Sequence, residues 1–230
     1  MYEYGKQKAI VLVSGGMDSL VTAAIAKRDN DEVYFLHLNY GQRTENRELI
    51  AYEQIFNHYK PDDNKIVRID FIKEFGGNAL TDSDMEMHFS DFNLNSSEFK
   101  VPNTYVPFRN GIFLSIATCW AEVKQATRIY IGAVEVDGSG YPDCRSIFFQ
   151  AIQTAIILGI KGEDNIQICT PLLKKKKSEI VRLGKDLNVP FEYSWSCYKD
   201  NFNPCGECDS CRLRKKAFEE AGVEDPIVSF

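Results

Sequence analysis

Residues 8–19, KAIVLVSGGMDS, decide the fold of this chain. Residues 9–13 form a short apolar run without polar alternation, which is typical of a strand that is buried on both faces. Gly15 and Gly16 interrupt this run, and helix-forming residues resume at Asp18. A buried strand that passes through a glycine turn into a helix is typical of a phosphate-binding loop, because backbone N–H groups and the positive end of the helix point to one place.

The residue types in this loop suit phosphate binding. We expect Gly15 and Gly16 to adopt the positive φ that such a turn needs and to let a phosphate approach the backbone. Ser14 and Ser19 add hydroxyl donors, whereas Asp18 would reach phosphates only through a divalent cation. The loop is not a Walker loop, because the chain has no G-x-x-x-x-G-K-[ST] pattern.

The rest of the chain continues the alternation of strands and helices. The pattern predicts further strands over residues 32–38, 65–70, 128–132 and 166–169, and helices over residues 18–27, 44–59, 110–123, 146–158 and 177–187. This alternation indicates an α/β fold with a doubly wound, mostly parallel sheet. Residues 71–105 are less regular, and we interpret them as a long loop or lid over an active site.

Length, charge and hydropathy restrict the function. The 230 residues fit one large domain, which we place at residues 1–190, and a small appendage, which we place at residues 191–230. The net charge of -6 argues for small-molecule substrates. It argues against direct binding of a long nucleic acid, because proteins that bind one usually have an excess of Lys and Arg to neutralise its phosphates. Residues 9–13, the longest apolar run near the N-terminus, are too short to span a membrane or to form a signal-peptide core, so we expect a cytoplasmic protein.

Four cysteines near the end of the chain predict a metal site. Cys197, Cys205, Cys208 and Cys211 have the spacing C-x7-C-x2-C-x2-C in a polar segment, so they would bind a metal more readily than enter a core. Four thiolates suit a structural Zn²⁺ without an open coordination position. An iron–sulfur cluster is the alternative, because C-x2-C-x2-C also occurs in ferredoxin-type sequences.

Several motifs carry a resemblance to known families. Residues 14–19 resemble the SGGxDS signature of the PP-loop ATP pyrophosphatases, which have an adenine nucleotide alpha hydrolase-like fold and cleave ATP between its α and β phosphates. In combination, the chain resembles the 7-cyano-7-deazaguanine synthase family of the queuosine pathway from about residue 8 to about residue 220. The motifs that carry this resemblance are YGQR at 40–43, VPFRN at 106–110, DGSGYPDCR at 137–145, WSCY at 195–198 and the cysteine run.

The resemblance implies an activity and its cofactors. The substrates would be 7-carboxy-7-deazaguanine, ammonia and ATP with Mg²⁺, and the product would be 7-cyano-7-deazaguanine, made through an adenylate and an amide. The enzyme would carry a structural Zn²⁺ and form a homodimer. The ATP-binding residues would be Ser14, Gly15, Gly16, Met17, Asp18 and Ser19. Asp18, Arg109 and Lys177 would be the catalytic residues, with Lys177 and Arg109 offsetting charge on the phosphates.

The remaining motif residues are expected to bind the deazapurine. They are Tyr40, Gln42, Arg43, Asp137, Tyr141, Asp143 and Arg145. We expect the 137–145 loop to border the deazaguanine, with a carboxylate pairing to its guanidine-like edge. Thr44 departs from the histidine that usually follows YGQR in the family. Cys144 is interpreted as a bystander, since carboxylate adenylation needs no nucleophilic side chain.

Two other activities fit the same activation chemistry. One is a PP-loop enzyme that modifies tRNA, which would bring a basic RNA-binding region and, for a thiolase, catalytic cysteines near the ATP site. The other is a ligase that attaches a deazapurine to a protein. The acidic balance and residues 141–145 count against the first, whereas the sequence does not decide against the second.

Overall fold

Five parallel strands form one sheet in the computed structural model, which describes residues 6–88, 101–136, 140–161 and 165–227. The strands lie in the order β3-β2-β1-β4-β5, and each neighbouring pair is parallel. Their bounds are Lys8–Leu12 (β1), Glu32–Asn39 (β2), Asp63–Arg68 (β3), Arg128–Tyr130 (β4) and Gln167–Cys169 (β5). The predicted α/β fold with a mostly parallel sheet is confirmed.

Helices cover both faces of the sheet. They are α1 (Met17–Asp29), α2 (Glu45–Tyr59), α3 (Phe71–Phe75), α4 (Arg109–Lys124), α5 (Ser146–Gly159), α6 (Lys177–Asp186) and α7 (Asp209–Ala221). Alternate residues of β1 enter two separate hydrophobic clusters: Ile10 packs with residues of α4 and α5, and Val11 packs with residues of α1, α2, α6 and α7. This arrangement explains the uniformly apolar sequence of β1.

The strand order places a topological switch beside β1. The chain passes from β1 to β2 on one side of the sheet, whereas β4 pairs with β1 on the other side. In open α/β sheets, ligands bind at the carboxyl ends of the strands where the order reverses. The loop at residues 14–19 follows β1 and therefore lies at this position.

Most predicted bounds differ from the structure by one or two residues; the strand predicted over 128–132, for example, ends at Tyr130. The third strand begins at Asp63 instead of residue 65, because the backbone of two polar residues already pairs with β2 at this sheet edge. The region predicted as a loop, 71–105, contains the short helix α3 at Phe71–Phe75. Its residues 89–100 lie outside the described residues.

The C-terminal segment shares the core of the sheet. The rings of Phe191 and Phe218 lie 5.1 Å apart between centroids, and Phe218 belongs to the hydrophobic cluster that includes Val11. Arg214 of α7 donates to Asp225 at 2.7 Å in a buried ion pair. The α7 helix is therefore packed on the α/β core, and the boundary at residue 190 stays a prediction. Within the described ranges, none of the helices has the length and apolar character that crossing a membrane requires.

Candidate active site

The conformation of the loop between β1 and α1 is fixed by a glycine and by hydrogen bonds of its own serine side chains. Gly15 has a φ of +92°, and a Cβ at this position would lie 2.6 Å from the carbonyl oxygen of Glu48. Glycine is therefore required here both by conformation and by space. The Ser19 hydroxyl accepts the Ser14 N–H at 3.2 Å and donates to the Gly16 carbonyl at 2.9 Å.

Gly16 differs from the expectation of a positive φ. Its φ is -79°, because it serves as the N-cap of α1 and has extended backbone geometry. A second close approach occurs at Gly132, just after β4. A Cβ on Gly132 would lie 2.9 Å from backbone atoms of Asp18 and Ser19, so the absence of a side chain lets the end of β4 reach the first turn of α1.

Asp18 and Lys177 come together at this loop although 159 positions separate them in sequence. The Lys177 ammonium lies 2.5 Å from Oδ2 of Asp18, and both side chains are mostly buried. Oδ1 of Asp18 is also buried and has no hydrogen-bond partner among the described residues. A buried carboxylate oxygen without a partner is an available ligand for a cation.

A cavity of about 240 Å³ opens from the loop toward the sheet ends and the C-terminal segment. Most of the predicted catalytic and ATP-binding residues line it, together with two of the predicted deazapurine-binding residues. These lining residues are Ser14, Gly16, Met17, Asp18, Ser19, Tyr40, Arg109, Tyr141 and Lys177. The structure thus brings together the first loop, Tyr40 of the YGQR motif, Arg109 of the VPFRN motif, and Tyr141.

The Arg109 guanidinium lies among aromatic rings inside this cavity. It donates to the Tyr40 hydroxyl at 3.1 Å and lies 5.8 Å from the ring centroids of both Tyr40 and Tyr141. Phe113, one turn further along α4, is 5.9 Å away. Cations are attracted to such ring faces, and the remaining N–H groups of the guanidinium suit an anionic ligand.

Glu48 is a cavity residue that the sequence analysis missed. It lies in the first turn of α2 and accepts hydrogen bonds from Thr44 Oγ1 at 2.7 Å and from Gln42 Nε2 at 3.0 Å. The side-chain Oε1 of Gln42 in turn accepts the Tyr40 N–H at 3.0 Å. Burial raises the pKa of Glu48 above that of an exposed glutamate, although both hydrogen bonds oppose this effect.

Thr44 supplies a hydrogen bond from the position where the family has histidine. Its side chain is 2% exposed, and its hydroxyl holds one oxygen of the Glu48 carboxylate. The departure from the family pattern therefore retains a donor at this place. It does not supply a group that titrates near neutral pH.

Other predicted deazapurine-binding residues lie outside the cavity wall. Arg43 donates to the carbonyl oxygens of Asp82 and Met85 and so fixes the segment that follows α3. Gln42 is buried behind Glu48, which it contacts through its amide.

The 137–145 loop divides between cavity and exterior. Asp143 is buried, and its Oδ2 accepts the Asn110 N–H at the start of α4 at 2.8 Å. Arg145 is exposed and donates to the Pro142 carbonyl at 3.1 Å. Asp137 lies outside the described residues. Of this loop, Tyr141 and Cys144 line the cavity.

The four C-terminal cysteines form one cluster. The Sγ atoms of Cys197, Cys205, Cys208 and Cys211 all lie within 4.8 Å of one another, and Cys205 and Cys211 are 4.0 Å apart. Neighbouring sulfurs of a tetrahedral zinc–thiolate site lie roughly 3.8 Å apart, given Zn–S bonds of about 2.3 Å. The cluster therefore fits a zinc ion.

Backbone N–H groups point at the cluster. Those of Lys199, Asp200 and Cys205 approach the sulfur of Cys197 at 3.3–3.4 Å. Such donors favour the thiolate form that a metal ligand needs.

The cysteine segment also completes the phosphate-binding loop. The Trp195 N–H donates to the Gly15 carbonyl at 2.8 Å, and Trp195, Ser196 and Tyr198 line the cavity. The Arg47 guanidinium lies 4.4 Å above the Trp195 ring. One wall of the cavity is therefore built from residues beside the cysteine cluster, and no local pattern in the sequence indicates this dependence.

The strand order and the loop after β1 give this chain the PP-loop type of α/β fold. A solved 4-thiouridine synthetase–RNA complex with bound ATP shares the fold with a TM-score of 0.53 and 16% identity, over 94% of this chain and 50% of that one. Residues 8–222 match the family described as "Queuosine biosynthesis protein QueC", and the chain belongs to this family.

Close relatives agree with this assignment. A protein of Chlorobium phaeobacteroides (strain DSM 266) is 52% identical over 220 residues, covering 96% of both chains. A protein of Chlorobium chlorochromatii is 54% identical over 220 residues, covering 96% of this chain and 95% of its own. Both are named 7-cyano-7-deazaguanine synthase. The resemblance stated from the motifs is confirmed.

Proposed function

We propose that this protein is an ATP-dependent carbon–nitrogen ligase that converts 7-carboxy-7-deazaguanine and ammonia to 7-cyano-7-deazaguanine. The observation that supports this most directly is the convergence of the phosphate-binding loop, the Asp18–Lys177 pair and Arg109 on one cavity. The match to the family over residues 8–222 supports the choice of substrate.

The chemistry follows from the poor reactivity of a carboxylate, which would have to expel oxide. Attack of the substrate carboxylate on the α-phosphate of ATP releases pyrophosphate and turns that oxygen into part of an AMP leaving group. Ammonia then displaces AMP, losing a proton, to give the amide. A second activation of the amide oxygen, followed by its elimination and loss of the nitrogen-bound protons, gives the nitrile.

The residues act by positioning and by neutralising charge. The backbone of residues 14–19 cradles the phosphates, with the Ser14 and Ser19 hydroxyls at its mouth. Mg²⁺ would supply charge neutralisation at the phosphates, and Asp18, whose Oδ1 is buried without a hydrogen-bond partner among the described residues, would hold it. Lys177 offsets charge on the departing pyrophosphate, and Arg109 faces the acidic end of the substrate.

The deazapurine-binding residues divide into two groups. Tyr40 and Tyr141 contact the ring directly, because both line the cavity beside Arg109. Gln42 and Asp143 act indirectly, because each binds a residue that lines the cavity. Arg43 acts through the segment after α3, which its guanidinium holds outside the cavity wall. Asp137 and Arg145 stay predictions.

The metal, the location and the assembly belong to the same proposal. The four cysteines hold a structural Zn²⁺, since four sulfur ligands leave no position for a substrate. The enzyme is cytoplasmic and acts on small molecules without binding nucleic acid directly. It forms a homodimer, for which α5 offers an apolar surface with Ile147 67% and Leu158 82% exposed.

Mass spectrometry of products tests the activity and its route. Purified protein is incubated with Mg-ATP, ammonium and 7-carboxy-7-deazaguanine, and we expect the nitrile together with AMP. Nitrile with ADP would keep the function and overturn adenylation. If zinc-loaded, folded protein gives no substrate-dependent turnover, the assignment is wrong and RNA or protein acceptors become the candidates.

Cys144 provides a further prediction. It lines the cavity, but burial, followed by the neighbouring Asp143 charge, raises the pKa of its thiol to about 11. The thiol is therefore protonated at neutral pH and is a weak nucleophile. We expect Cys144→Ser to retain kcat within about threefold, because this side chain does not react. A change of that size corresponds to under 1 kcal/mol. Loss of turnover with intact ATP binding would assign the thiol a direct role.

A further inference from the structure

The described cavity wall contains two carboxylates, Asp18 and Glu48. Asp18 lies at the phosphate-binding loop and pairs with Lys177. Asp143, one of the acidic residues in the loop expected to meet the guanidine-like edge of the substrate, instead uses its carboxylate on the Asn110 N–H. Within the part of the wall that the structure describes, Glu48 is therefore the carboxylate that can face the organic substrate.

The hydrogen bonds of Glu48 leave a matched pair of acceptor positions. Each of its oxygens accepts one hydrogen bond from the protein, Oε1 from Thr44 and Oε2 from Gln42. A carboxylate offers about four lone-pair directions in all, so each oxygen retains acceptor capacity. Because one protein donor binds each oxygen, the rotation of the carboxylate is fixed, and one acceptor position on each oxygen remains for a ligand with two donors.

A guanine-like ring edge has the complementary pattern. Its ring N–H and its exocyclic amino group present two parallel N–H donors. A carboxylate accepts both at once, as it accepts the two N–H groups of an arginine fork. Adenine-like and hypoxanthine-like edges lack one or both of these donors, so this contact would discriminate among purine-like ligands.

We propose that Glu48 reads the guanidine-like edge of the deazapurine and so determines substrate specificity, and that Thr44 and Gln42 position its carboxylate. This inference rests on the proposed function. Arg109 and Tyr40 complete the same wall, so the contact orients the ring relative to the phosphate-binding loop. The donor retained at residue 44 then has a function: it holds Oε1 in the orientation that the ring edge requires.

Calorimetric binding of two ligands tests this proposal. One ligand is 7-carboxy-7-deazaguanine, and the other is the same compound without its 2-amino group. We expect wild type to bind the first about tenfold more tightly, which corresponds to about 1.4 kcal/mol, since the analogue leaves a buried acceptor oxygen of Glu48 without its partner. In Glu48→Gln this ratio should fall below about threefold, because the amide offers one acceptor oxygen in place of two. ATP affinity should stay unchanged.

Control variants separate this role from others. Glu53→Gln changes an exposed acid on the same helix and should keep the wild-type ratio. Thr44→Val removes only the hydrogen bond to Oε1 and should lower the ratio partly, even if Glu48→Gln does not fold. The proposal is overturned if the affinity ratio of the two ligands persists in both Glu48→Gln and Thr44→Val. This holds even if turnover falls in Glu48→Gln, because Glu48 would then act as a base and would not read the ring edge.

Two further outcomes are decisive. If the ratio collapses in Asp137→Asn and survives in Glu48→Gln, the acid that reads the ring edge is Asp137 and the proposal is wrong. If wild type binds neither ligand in the presence of Mg-ATP, both the proposed function and this inference fail. Binding of the parent compound without discrimination overturns the Glu48 inference alone.

Discussion

Replacing Cys208 by Ser is expected to abolish binding of the proposed zinc ion and most of the affinity for ATP. Cys208 is fully buried in the cysteine cluster, and structural zinc sites supply much of the folding free energy of their segments. We expect a loss of about 3 kcal/mol or more, which lowers Tm by roughly 6–12 °C in a chain of this size. ATP affinity should fall at least about tenfold, because the Trp195 N–H no longer holds the Gly15 carbonyl.

Metal analysis, thermal unfolding and ATP calorimetry measure these three effects. Cys119→Ser is the matched control, since Cys119 is an exposed thiol on α4 and should change none of them. A Cys208→Ser protein that lacks zinc but binds ATP as tightly as wild type would show that the cavity does not depend on the metal. Bound iron in place of zinc would support the ferredoxin-type alternative.

Lys177→Met is expected to lower kcat/KM by about 10²–10³. The ammonium lies 2.5 Å from Asp18 in a mostly buried pair at the phosphate-binding loop. Removing one preorganised charge from a site where negative charge develops costs roughly 2.7–4 kcal/mol in comparable enzymes. Pyrophosphate release at saturating ammonium measures the effect, and Asp18→Asn should show a loss of similar order with a weaker dependence on Mg²⁺.

The basic run at residues 174–177 supplies its own control. Lys174 is exposed, and Lys174→Met removes the same charge from the same segment without touching the loop. It should keep kcat/KM within about twofold, as an exposed charge contributes little. A loss below about tenfold in Lys177→Met would mean that the lysine only balances Asp18 in the resting protein.

The features that the sequence predicted correctly have local signals. The apolar run of β1 and the glycines after it belong to one short segment, and the cysteine spacing limits where four thiols can meet. These signals come from residues that are close together in the sequence, so they can be recognised without knowledge of the tertiary structure. The positive φ of Gly15 is likewise a feature that the local sequence predicts.

The features that the sequence did not predict depend on contacts across the fold. Glu48 occupies the first turn of a helix, where an acidic residue is common simply because it offsets the helix dipole, and only the fold shows it inside the cavity. Arg43 and Asp143 belong to sequence motifs that also contain cavity residues, so the sequence predicts that they bind the deazapurine. Their side chains instead bind the carbonyls after α3 and the start of α4.

The hydrogen bond from Trp195 to Gly15 has a consequence for the synthesis of the protein. The phosphate-binding loop occupies residues 14–19, yet its final shape requires a residue that is translated more than 170 codons later. A nascent chain on the ribosome, or a fragment that terminates before residue 195, carries the complete SGGMDS sequence without the support that it needs. We expect such fragments to be catalytically silent, so incomplete products would not consume ATP.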